Sequence, residues 1–247
     1  MSTTSSSLPT TSSQRLAKAI AHSGLCSRRD AEKLIISGAV TVDGLCVLTP
    51  ATNVTAAQTI TVHGKPLKAP SQIQLYKFYK PKGVLTTKRD PQNRKTLYDL
   101  LPPHLQHLIY VGRLDYQSEG LLLLTNNGDF SRKLEHPSTG LSRTYRVRAY
   151  GTLDTKQLQQ LAKGVTIEGI HYAPFSVTVE HSGLTNHWLV MTLTEGKNRE
   201  IRILLESINL TVNRLIRTQY GPVTLGTLAI GKLEQIHNPE WVFNQNL

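Results

Sequence analysis

Leu108-Ile109-Tyr110-Val111-Gly112-Arg113-Leu114-Asp115-Tyr116-Gln117-Ser118-Glu119-Gly120-Leu121-Leu122-Leu123-Leu124-Thr125-Asn126 is the stretch whose reading decides this chain. Its opening apolar run predicts a buried strand over 108–113. Side chains alternate faces along a strand, so Arg113 and Asp115, two apart, point the same way. A guanidinium beside a carboxylate keeps it ionised, which suits a nucleophile or base that must be anionic at neutral pH. A structural ion pair at a strand end explains residues 112–115 as simply. The leucines that follow tip the balance. They close on Thr125-Asn126-Asn127-Gly128 and read as a second buried strand and a turn. Asp115 is then held in a loop between two core strands, where functional residues concentrate.

Composition narrows the classes of partner. The 247 residues suffice for one sizeable core and a small appended domain. Lys plus Arg number 28 against 17 Asp plus Glu, a formal charge of +11 that favours a polyanion. No apolar run approaches the roughly 20 residues of a membrane helix, so nucleic acid is preferred to a membrane. Cys26 and Cys46 form no Cys-x-x-Cys pair, and the nine histidines offer no cluster with metal-ligand spacing. Neither a metal nor a cofactor is expected. Two isolated thiols, read as small core residues, fit a reducing cytoplasm. Residues 1–13 are Ser/Thr-rich without the basic start and apolar core of a secretory signal, and are expected to be a disordered tail.

Residues 14–68 read as a small α+β domain. Leu16, Ala19 and Ile20 give a first short helix its apolar stripe, which Gly24 ends. Ser27 with Asp30 three residues later predicts a capped second helix through Ile36, stopping at Gly38. Short strands with turns at Asp43-Gly44 and His63-Gly64 follow. Arg15, Lys18, Arg28, Arg29 and Lys33 make the helices basic, which an ordinary solvated face would also explain. A linker is expected over 69–72, then a larger domain over 73–247. In it, strands at 73–79, 108–113, 121–125, 143–150, 175–180, 188–194 and 212–219 mix with helices at 96–101, 129–135, 155–163 and 198–207. The absence of a βαβ rhythm argues for an α+β fold on a mainly antiparallel mixed sheet.

Gly112-Arg113-Leu114-Asp115, a short variable stretch and then Gly120-Leu121-Leu122-Leu123-Leu124-Thr125-Asn126 resemble the catalytic motif of bacterial ribosomal-RNA pseudouridine synthases of the RsuA/RluB type. Ser118 stands where that family more often has Thr, and Asn127 where it usually has Asp. The run from Arg15-Leu16-Ala17-Lys18 through Ser27-Arg28-Arg29-Asp30-Ala31-Glu32 to Val40-Thr41-Val42-Asp43-Gly44 resembles the small RNA-binding domain first known in ribosomal protein S-four. That domain commonly precedes the catalytic one in the family. Lys80-Pro81-Lys82-Gly83 resembles the family's first motif. Glu195-Gly196-Lys197-Asn198-Arg199-Glu200-Ile201-Arg202 resembles its third, with Ile203 replacing a basic residue often found next. Asn198 is a candidate helix cap, and Arg199 and Arg202 would gather at the helix start as an anion site.

The resemblance implies isomerisation of a uridine in ribosomal RNA by an essential aspartate and base flipping, with no cofactor or metal. Asp115 would be that carboxylate; attack on the sugar, attack on the ring and removal of a sugar proton stay open as its role. Arg113 would hold Asp115 ionised, Tyr145 would stack on the flipped uracil, and Arg202 would order the site. Tyr145 as a plain core residue explains the strand pattern of 143–148 equally well. Arg146 and Arg148 share the opposite strand face, and Arg146 would act through phosphates. Arg15, Lys18, Arg28, Arg29, Lys33, Lys80, Lys82 and Arg199 are the expected RNA contacts. The partner would be ribosomal RNA or an assembling ribosomal subunit, met by a cytoplasmic monomer with no membrane attachment. The third motif favours large-subunit 23S RNA. The alternatives are small-subunit 16S RNA, or a non-catalytic ribosomal-RNA-binding or assembly protein on the same fold.

Overall fold

The computed structural model describes residues 13–68, 72–239 and 241–244. The expected tail therefore lies, Ser13 apart, outside the described residues, as do residues 69–71 of the expected linker. The chain divides into two compact units, Met1–Gln72 and Ile73–Leu247.

In the first unit β1 (Gln14–Arg15) leads into α1 (Leu16–His22) and α2 (Arg28–Ile36). β2 (Val40–Val42), β3 (Leu45–Cys46), β4 (Asn53–Val54), β5 (Ile60–Val62) and β6 (Lys65–Pro66) follow. Ser27 caps α2 as its spacing from Asp30 predicts: its Oγ accepts from the Asp30 amide at 3.2 Å and donates to the Asp30 carboxylate at 2.6 Å. The sheet runs β3-β2-β5-β6, with tight turns at Asp43-Gly44 and His63-Gly64, where all four φ angles are positive. Leu16, Ile20, Ala31, Ile35 and Val40 are its fully buried core. Cys26 packs against that core, but Cys46 is exposed, since the two-residue strand it ends has solvent on both faces.

The second unit is a nine-stranded sheet. Its elements are β7 (Leu75–Lys80), β8 (Ile109–Val111), β9 (Glu119–Thr125), α3 (Gly128–Glu135), β10 (Arg143–Tyr150), α4 (Thr155–Leu161), the hairpin β11 (Val165–Ile167) and β12 (Ile170–Tyr172), β13 (Ser176–Ser182), β14 (Asn186–Leu193), α5 (Glu200–Glu206), β15 (Thr211–Tyr220), β16 (Val223–Thr224), β17 (Leu233–Ile236) and α6 (Trp241–Asn244). The order is β13-β14-β10-β15-β9-β7-β17, with β8 on β9 and β16 on β15. Every pairing is antiparallel except β9 with β15, which share two residue pairs, Ile216 with Glu119 and Arg217 with Gly120. β9 is buried along its whole length, as its unbroken leucine run requires. On one side, Val147, Leu189 and Met191 pack with Leu158 of α4 and Leu204 and Leu205 of α5. Elsewhere Leu121 and Leu123 pack with Phe130 and Leu134 of α3.

β16 and β17 lie outside the expected strands, and other expectations change as well. The helix at 96–101 is only a 3-10 turn, Leu97–Leu100, because Pro102 drives Leu101 into extended backbone. The β11–β12 hairpin, outside the expected strands, turns on Glu168 and Gly169 at φ of 49° and 78°.

Candidate active site

β8 ends at Val111 because Gly112 turns the chain at φ 63°. Arg113 and Asp115 therefore lie past the strand, in the loop to β9, and a spacing of two no longer places them on one face. Both are exposed, and among the described residues no ion pair joins them, which corrects the expected pairing. The loop is fixed from below instead. Leu114 is buried, its carbonyl accepts from Thr86 Oγ1 at 2.8 Å, and its amide donates to the same oxygen at 3.3 Å. The Gly83 amide donates to the Tyr116 carbonyl at 2.8 Å, and Ser118 N closes a turn on the Asp115 carbonyl at 3.0 Å.

Lys80 completes this clamp. It has no exposed surface, and its Nζ donates to the carbonyls of Pro81 and Asp115 at 3.1 Å and of Ser118 at 2.8 Å. Burial pulls its ammonium down to about 8; Arg217 adds to the shift, while Asp115 and Glu119 oppose it. The expected RNA contact at Lys80 is thus replaced by a structural one: a loop 35 residues downstream folds over the amine. Lys82, two residues on, is exposed.

A cleft of about 480 Å³ opens above the clamp, lined by Thr86, Asp115, Arg143, Tyr145, Glu195, Arg199, Leu215 and Arg217 among others. Tyr145 is half-buried there, and its ring also packs against both neighbouring cores. Arg146 is not in the cleft. It pairs with Glu180 at 2.6 Å and lies 4.2 Å from the centre of the Trp188 ring, so its charge is already engaged, contrary to the expected phosphate contact. Arg148 is exposed on the same strand.

The third motif folds differently at its start. α5 begins at Glu200, and Arg199 rather than Asn198 stands at the cap position, at φ 53° with no side-chain cap bond. The Lys197 amide is met by the Glu200 carboxylate at 3.0 Å. Arg199 is exposed on the cleft wall, whereas Arg202 is 8% exposed, donating to the Val212 carbonyl at 2.8 Å and the Gln117 carbonyl at 3.5 Å. The two arginines therefore do not gather into one exposed anion site. Burial first, then Arg199, pulls the Arg202 guanidinium below its ordinary value, while Asp115 and Glu206 pull the other way. Burial and the adjacent Glu195 push the Glu200 carboxyl up to about 7, and Glu195 itself is paired with Lys197.

Several residues in the cleft and around it have roles that escape sequence reasoning. Arg143 donates to the Thr194 carbonyl and the Tyr220 hydroxyl, each at 2.9 Å; its place two residues before Tyr145 was a usable signal. Glu119 is buried, held by Arg214 at 2.6 Å and 3.2 Å and by the Tyr79 hydroxyl at 3.3 Å. Ser118 is buried, and Asn127 caps α3 by accepting from the amides of Asp129 and Phe130, a task aspartate would perform equally. Ile203 packs against the core of α4 and α5. In the first unit Arg15, Arg28, Arg29 and Lys33 are exposed and Lys18 is half-buried. Arg28 sits 3.7 Å from Glu32, and Lys33 is as far from Asp30. Among the described residues no group of three or more His, Cys, Asp or Glu could hold a metal ion, and no helix is long and apolar enough to cross a membrane.

A model of the RNA pseudouridylate synthase family matches residues 74–207, and one of the S4 domain matches residues 14–60. The chain belongs to the RNA pseudouridylate synthase family, and its activity is the formation of pseudouridine in RNA. A Rickettsia felis protein named as an uncharacterized RNA pseudouridine synthase is 48% identical over 225 residues, 91% of this chain and 97% of the relative. Ribosomal large subunit pseudouridine synthase B of Yersinia pestis is 37% identical over 218 residues, 86% of this chain and 69% of that one. A crystal structure of a pseudouridylate synthase superposes with a TM-score of 0.64 at 25% identity, covering 92% of this chain and 97% of its own.

Proposed function

We propose that this enzyme isomerises a uridine of large-subunit ribosomal RNA, with Asp115 as its essential carboxylate. The target class follows the relatives named for the large ribosomal subunit, which share 37% of their aligned residues with this chain. The observation that carries the role of Asp115 is its setting. The carboxylate is exposed at the cleft, without a hydrogen bond or ion pair of its own among the described residues, on a loop whose main chain is clamped at four carbonyls. A free anion on a rigid loop is ready to act without first breaking a bond. In the reaction the bond from the sugar to ring nitrogen breaks, the uracil turns, and the sugar rejoins at carbon five. The proton lost from carbon five is balanced by the one gained at nitrogen.

Tyr145 offers a ring on which a flipped uracil can stack, with Leu215 among the other cleft-lining residues. Arg113, exposed on the same loop, is placed to meet RNA rather than Asp115. Arg202 supplies positive potential from beneath, and Arg199 and Lys82 offer exposed charge. Arg15, Lys18, Arg28, Arg29 and Lys33 of the first unit would bind phosphates and set the salt dependence of affinity.

The test is tritium release from carbon-five-labelled uridine in transcribed large-subunit RNA. Wild-type enzyme should release tritium and Asp115→Asn should not, with melting temperature and RNA affinity nearly unchanged. Turnover by Asp115→Asn at the wild-type rate sinks the assignment of the carboxylate. Turnover of small-subunit RNA instead moves the target.

A further inference from the structure

Four buried side-chain polar atoms among the described residues have no hydrogen-bond partner: Ser118 Oγ, Glu200 Oε1, Arg202 Nε and Arg217 Nη2. Ser118, Glu200 and Arg217 all line the cleft. Burying such a group without a partner is costly, so a cluster of them at one wall calls for a reason.

Arg217 is the most constrained. It is 2% exposed; its Nε donates to the Leu121 carbonyl at 2.7 Å, and the guanidinium lies 5.2 Å from the centre of the Tyr220 ring. Its backbone abuts Gly120, where a Cβ would meet the Arg217 carbonyl oxygen at 2.4 Å, so only glycine permits this approach of β9 to β15. No carboxylate pairs with it among the described residues, and the neighbouring buried cation, Lys80, is spent on main-chain carbonyls. Glu119, the buried carboxylate that acts on Lys80, is held by Arg214, so Arg217 is a desolvated cation without a carboxylate partner among the described residues, poised for an anion that arrives with the substrate.

We propose that Arg217 is a substrate-binding residue, whose free Nη2, in the cleft that Ser118 also lines, donates to an anionic oxygen of the nucleotide seated over Asp115. That oxygen belongs either to a phosphodiester or to the detached uracil. When the bond to the sugar breaks with its electron pair left on the base, the charge spreads onto the uracil carbonyl oxygens until the new bond forms. The inference rests on the reading of this cleft as the uridine site.

Arg217→Met in the full chain, with Asp115→Asn and wild type alongside, tests it on carbon-five-tritiated large-subunit RNA. Three quantities are read: dissociation constant against salt, single-turnover rate at saturating enzyme, and melting temperature. Loss of one charge-assisted hydrogen bond should cost roughly 10- to 100-fold. If the oxygen is a phosphate's, affinity falls by that factor and the salt slope drops by about one. If it is the uracil's, affinity and slope stay put and the saturated rate falls instead. Wild-type affinity, slope and rate in Arg217→Met overturn the proposal, as does a rate loss no larger than the fraction melted. Should Arg217→Met not fold, Arg217→Lys, which keeps the charge but not the planar fork, is read by affinity and saturated rate alone, its salt slope staying at the wild-type value. Absence of tritium release by wild type would fail the uridine reading and the uracil arm with it, while the affinity ratio and salt slope, which need no turnover, still decide the phosphate arm.

Discussion

Replacing Lys80 by methionine separates what holds this protein together from what makes its cleft work. Methionine keeps most of the side-chain length but removes the amine from the carbonyls of Pro81, Asp115 and Ser118. Three hydrogen bonds from the amine, lost at about 1 kcal/mol each, cost about 3 kcal/mol, although the Asp115 carbonyl keeps the Ser118 amide. Against this stands the penalty of burying the ammonium. Its fall from 10.5 to about 8, at about 1.4 kcal/mol per unit, amounts to about 3.5 kcal/mol that methionine does not incur at neutral pH. The terms nearly cancel, so the melting temperature should move by only a few degrees. The Asp115–Ser118 turn, however, loses its tether, and a displacement of about 1 Å of a reacting group costs about 100-fold in rate. Melting followed by tritium release under single-turnover conditions reads both. The same variant carries a pH signature. Between about 8 and 10.5 the folded wild type has shed a proton that the unfolded chain still holds, so its stability climbs with pH across that window. Lys80→Met should lack the climb. Activity within twofold of wild type would refute the clamp and leave the loop to its Thr86 and Gly83 contacts.

Tyr145→Ala should slow single turnover by a stacking contact of roughly 1–3 kcal/mol while Tyr145→Phe stays close to wild type; a large drop in melting temperature with activity retained in the cold would make the ring a core residue only. Glu200→Gln should flatten the pH dependence of stability: a carboxyl held up to about 7 keeps its proton in the folded state, so wild-type stability declines as pH rises from about 4.5 to 7. Denaturant melts of the two proteins at pH 4.5 and pH 8 measure the difference, and parallel curves would show that Glu200 titrates normally.

Local patterns were legible wherever local interactions decide the structure. β10 spans the expected 143–150 because alternation over eight residues leaves little choice of register, and the Ser27 cap follows from a spacing that only a helix satisfies. The leucines of β9 announce burial without naming their neighbours. What stayed hidden depends on distant segments. Nothing near Lys80 tells that its amine is covered by carbonyls 35 and 38 residues away, so its charge reads as a surface contact. Arg217 lies in a strand whose local pattern is ordinary; its meaning comes from Gly120 and Leu121, almost a hundred residues earlier. Arg113 and Asp115 were misread for a smaller reason, one glycine at positive φ that ends a strand sooner than its apolar run suggests.

The parallel seam between β9 and β15 also bears on how the enzyme comes into being. It joins the two walls through two residue pairs, reinforced by Arg214 on Glu119 and Arg217 on Leu121, across sequence separations of 95 to 97 residues. A nascent chain that has emerged only through β14 already holds Asp115 and Tyr145 but has nothing to place Arg217 beneath them. The loop closure needed for the seam is large, and its cost must be met before the few contacts there can form. During synthesis the RNA-binding unit can thus fold well ahead of a finished cleft, and the protein can meet RNA through that unit before it is able to modify it.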